Sequence, residues 1–77
     1  MDIAAMIEQG RKSIDQGDLK KAATELTDAA IATRDVSQAR EIRQLADRGM
    51  ELSGRFGKSR WKEVARLADL RLTRERV

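Results

Sequence analysis

The chain contains no cysteine, histidine, proline or tyrosine, and its aromatic residues are one phenylalanine and one tryptophan. Without cysteine there is no disulfide and no thiolate metal ligand, so folding needs no oxidising compartment. Without histidine as well, a zinc ion would have only carboxylates to bind, and imidazole general-base chemistry and cysteine nucleophiles are excluded. Ser13, Ser37, Ser53 and Ser59 therefore lack a histidine to activate them, and no carboxylate pair suggests acid–base catalysis. The expectation is a protein that is not an enzyme and carries no cofactor or metal. Long apolar runs are also missing: uncharged stretches such as Ala29 to Thr33 fall far short of the ~20 residues of a membrane span. The N-terminal segment carries Asp2 and Glu8 and lacks the basic-then-apolar pattern of a signal peptide. A cytoplasmic location is the expectation that follows.

What is present is helical in pattern. The 77 residues are 40% hydrophobic and 38% charged, and the apolar positions recur at regular intervals rather than being absent as in a disordered chain. One domain, 1–77, is expected. So small a chain buries only roughly 60–65% of its unfolded surface, which leaves a thin core that a second copy could complete. Charge is uneven: residues 1–38 carry a net −2 and residues 39–77 a net +5. That asymmetry fits either an arginine-rich solvated surface or an anionic partner for the C-terminal half.

The 3.6-residue period predicts four antiparallel helices at about 2–16, 18–33, 36–53 and 59–73, an all-α small bundle. In the first, Ile3, Met6, Ile7, Gly10 and Ile14 form one stripe. Gly17 suits the left-handed residue after a helix and Asp18 can cap the next. The second places Leu19, Ala22, Ala23, Leu26, Ala29 and Ala30 on one face, where small side chains permit close helix packing. Asp35 and Gln38 have the spacing of a capping box. The third helix has a broader arc through Ala39, Ile42, Leu45, Ala46, Gly49, Met50 and Leu52, suited to contacts on two sides. Gly54-Arg55-Phe56-Gly57 is expected to be the break, with Ser59 capping a fourth helix that carries Trp61, Val64, Ala65, Ala68 and Leu72 inward. Ile31 and Leu70 lie off these stripes. No segment alternates with period two, so no strand is expected.

Gly10, Gly17, Ala22, Leu26 and Ala29 stand at the spacing of a tetratricopeptide repeat, and residues 3–36 resemble that helical hairpin. A copy 34 residues later is not found, because Gln44 and Glu51 stand where the two glycines would recur. The remainder reads as a diverged second hairpin or as the rest of a bundle. The hairpin with the third helix is also similar to the three-helix microtubule-interacting-and-trafficking domain. Both resemblances imply a protein-binding module without chemistry of its own. The tetratricopeptide resemblance places a peptide against the first helix, along Ile7, Arg11 and Ile14. The competing reading makes Ile7 and Ile14 core, since they share an arc with Ile3 and Met6.

Other motifs are weaker. Gly54 to Ser59 has the look of a phosphate loop, but Leu52 occupies the place of its first glycine and no strand precedes it. The same glycines match the GXXG of KH domains, which require a sheet. Residues 60–77 are similar to the opening of a helix-turn-helix as in sigma-factor region four, where Thr73 to Arg76 would begin a recognition helix; the connection is too long, and no such helix follows within this chain. Arg55, Lys58, Arg60, Lys62 and Arg66 are candidate anion ligands around the start of the fourth helix. Phe56 and Trp61 are candidates either for base stacking or for pinning that helix to the bundle. The leading expectation is a non-catalytic protein–protein interaction module, docking another protein through Ile31, Leu70 or the first-helix line. The alternative is an anionic partner, nucleic acid or acidic lipid, held by the basic cluster.

Overall fold

The computed structural model describes residues 2–75, and within that span the side chains of all but Arg55, Phe56, Arg74 and Glu75. Among the described residues the chain is helical with no strand: α1 (Ile3–Asp15), α2 (Leu19–Ala32) and α3 (Val36–Glu75). A straight α3 of 40 residues would be about 60 Å long at 1.5 Å per residue. The molecule's longest dimension is 34 Å. Gly54 resolves the conflict: its φ of 61° and ψ of −140° leave the helical region and reverse the chain. α3 is therefore two rods, an N-terminal arm (36–53) and a C-terminal arm (55–75), giving the four-helix bundle expected.

α1, α2 and the N-terminal arm of α3 each start on an aspartate. Asp2 accepts a bond from the Ala5 amide, Asp18 from Lys21, and Asp35 from Ser37 at 2.7 Å. Each carboxylate satisfies an amide that has no partner within its own helix. α1 ends as its sequence indicates. Gly17 takes φ +81° while its amide bonds the Ile14 carbonyl and the Asp18 amide bonds that of Ser13, the paired closure of a Schellman motif. The expected capping box at Asp35 is only half made. Gln38 turns instead to the fully buried Thr33, whose hydroxyl donates to Gln38 Oε1 at 2.6 Å and accepts from the Asp35 amide at 3.2 Å.

The break before the fourth helix is shorter than expected. Gly54 alone departs from helical angles, and Gly57 and Ser59 lie inside the C-terminal arm, so Ser59 is not an N-cap. Gly57 has a spacing role: a Cβ there would stand 2.6 Å from that of Ser53. Thr73 continues this arm rather than opening a recognition helix, and Arg76 lies outside the described residues.

α2 packs against both α1 and α3. It runs antiparallel to α1, with Leu26 seated on Gly10 and Glu25 accepting from the Ser13 hydroxyl at 2.8 Å. The arms of α3 are antiparallel to one another, with Trp61 lying on Gly49 and Arg43 paired to Asp69 at 3.1 Å. Trp61, 1% exposed, pins the C-terminal arm to the bundle. Ile7, Ile14, Leu26, Ile42, Leu45, Val64 and seven alanines of α2 and the arms complete the core around it. Leu52 departs from its expected inward place: it is 55% exposed.

Candidate functional site

The first-helix line does not form a surface. Ile7 and Ile14 are each 2% exposed and belong to the core, because the stripe they share with Gly10 is the one α2 covers. Arg11, between them in sequence, points outward. It pairs with Glu8 and, at 3.2 Å, with Asp15. The Glu8 hydrogen bond raises the Arg11 guanidinium above the ordinary arginine value, and the same bond holds the Glu8 carboxyl below the usual carboxylate range.

Ile31 and Leu70 are exposed, at 55% and 48%. They sit in different places. Ile31 is at the end of α2, where Arg71 reaches across from α3: its Nε donates to the Ala30 carbonyl at 3.2 Å and its Nη2 to that of Ile31 at 2.6 Å. Leu70 borders a groove between the arms of α3, floored by Met50 and Ala65 and edged by Arg43, Lys62, Arg66 and Asp69. Burial opposes the charge on Arg43, but Asp47 and Asp69 outweigh it and raise its pKa.

Helix geometry divides the basic cluster. Lys58, Lys62 and Arg66 fall within about 80° of one another at 100° per residue, while Arg60 lies on the other flank. Arg60 accordingly faces hollows against α2, and Lys62 and Arg66 face the N-terminal arm. Arg66 is held by Glu63 in a two-point pair, at 3.0 and 2.5 Å, which lowers the Glu63 pKa and raises its own. The side chains of Arg55 and Phe56 lie outside the described residues. The four described cations, Lys58, Arg60, Lys62 and Arg66, thus do not converge on one face of the C-terminal arm.

Two participants escaped the sequence reading. Lys20 shares a hollow with Arg60, 40 positions away, and only the parallel run of α2 beside the C-terminal arm brings them together. Arg71 caps α2 from an equal distance in the chain. No local pattern announces either contact. Among the described residues, no group of three or more acidic side chains is placed to hold a metal ion, and no helix is long and apolar enough to cross a membrane. No family model matches the chain, and neither does any curated protein or solved structure.

Proposed function

We propose that this chain is a cytoplasmic, non-catalytic interaction module that docks another protein on an exposed helical face. The observation that carries the reading is Leu70. It stands half out of the surface beside Met50 and Ala65, with charged side chains on both rims of the groove. An apolar anchor point ringed by polar groups is the arrangement that supports helix-in-groove recognition. The tetratricopeptide-like spacing of the first hairpin adds to it, and Ile31 offers a second, separate contact. The anionic-partner reading loses support from the division of its cations and from the engagement of Arg66 with Glu63.

A pull-down with the immobilised chain and its Leu70→Asp variant tests the proposal. A protein partner retained at about 0.3 M salt should be lost with Leu70→Asp and kept with Lys58→Gln/Arg60→Gln, which lie outside the groove. Capture that depends on those two cations alone, or retention of nucleic acid at about 50 mM salt that vanishes steeply as salt rises, would transfer the function to anion binding. Light scattering on the same samples separates a second copy of the chain from a different protein.

A further inference from the structure

We propose that the hollow where the first turn of α2 meets the bend of α3 binds a small amphipathic anion, with one phosphate, sulfonate or carboxylate head on an apolar body. The hollow encloses about 360 Å³, within the roughly 300–1,000 Å³ of small-molecule sites. Its walls sort by chemistry. The half-buried Leu19 and the buried Ala23 and Trp61 are apolar; Ser53 and Ser59 bring hydroxyls; Lys20 and Arg60 bring two positive charges. Among the described residues no carboxylate lines it.

Charge distinguishes this hollow from its neighbours. In the groove between the arms, Asp69 answers Arg43. Beside α1, the corresponding hollow holds Glu25 and Asp28 with no cation. Arg60 also borders a hollow that contains Asp28 and Glu63, yet no carboxylate among the described residues stands within ion-pair distance of Arg60 or of Lys20. Two cations from different helices, neither in an ion pair among the described residues, border a space whose other walls are apolar side chains and two serine hydroxyls.

Both halves of the ligand are required. Lys20 and Arg60 are exposed, and water and salt screen their attraction for a bare anion. An apolar body laid against the half-buried Leu19, beside the buried Trp61, adds the burial that the head alone lacks. Inorganic phosphate should therefore bind far more weakly than an alkyl phosphate, and so should the uncharged alcohol.

Octyl phosphate is the probe, and Trp61, the single tryptophan, is the optical reporter. Titration should change its fluorescence saturably, with amide shifts confined to residues 19–23 and 53–61, while phosphate and octanol give no saturation over the same range. Lys20→Gln/Arg60→Gln should weaken binding by about tenfold or more. Lys58→Gln/Lys62→Gln, on the other flank, should stay within about twofold. Anionic phospholipid vesicles form the second arm. Binding there with the same variant dependence identifies a lipid headgroup as the source of the anion, and octyl phosphate binding without it identifies a free ligand. Absence of saturation in both arms, equal binding of octanol, or indifference to Lys20→Gln/Arg60→Gln would overturn the site.

Discussion

Two glycines set how closely the helices of this protein approach. A Cβ on Gly10 would stand 2.7 Å from Leu26, and one on Gly49 would overlap the Trp61 indole. The two sites differ in what can yield. Leu26 ends in a branched, rotatable side chain, whereas the indole is a rigid plate, 1% exposed and closed in by core side chains. Gly49→Ala is therefore expected to force the arms of α3 apart and to cost about 1–3 kcal/mol. In a domain of this size that lowers Tm by roughly 5 °C or more, measurable by circular dichroism. Gly10→Ala should cost less. An unchanged Tm for Gly49→Ala would show that the indole does not lie on this glycine.

α2 has no basic residue in its own last turn, and its final carbonyls depend on Arg71 from α3. A cation at a helix C-terminus gains from the aligned peptide dipoles as well as from the hydrogen bonds themselves. Arg71→Ala should accordingly destabilise the fold by about 1–2 kcal/mol. Arg71→Lys, which keeps the charge but loses the two-point geometry, should recover only part. Hydrogen exchange of the last turn of α2 would localise the effect, and a loss spread evenly over all helices would argue against it. The first hairpin was legible because its signals are local: an unbroken stripe, then Gly17 and Asp18 in the places a helix end and start require. The second was legible only in outline. A glycine that turns the chain and a glycine that makes room for a neighbour are the same letter, so Gly54 and Gly57 read as one wide break with Ser59 as its cap. The candidate site suffered more. Cations adjacent in sequence read as one cluster, but a helix sends Arg60 and Lys62 to different flanks, and the residue that does share a hollow with Arg60, Lys20, arrives through packing alone.

At the scale of the whole molecule, stability should be indifferent to pH across the neutral range and fall in acid. No histidine or cysteine is present to titrate between about pH 5 and 8. Glu8 and Glu63 ionise more readily in the folded chain than their ordinary pKa of 4.5, so the folded state binds fewer protons than the unfolded one. Their stabilisation is present above pH 4.5 and is lost as pH falls through the lowered folded values. Both pairs are exposed, so the effect is small and high salt should reduce it further. Thermal melts should be flat from about pH 8 to 5 and then decline; Glu8→Gln/Glu63→Gln should decline less, and a transition centred near neutrality would contradict the account. The reversal at Gly54 bears on the molecule as a whole in another way. One residue makes the entire return, at backbone angles that are strained for any side chain, and it leaves no slack between the rods it joins. Were an alanine to stand there, the cheapest relief would be to let the helix run on as a single straight shaft, baring two apolar flanks at once. Only another molecule, opened in the same manner, carries the matching flanks, so an alanine at this one position should favour an interlocked pair that exchange their C-terminal arms.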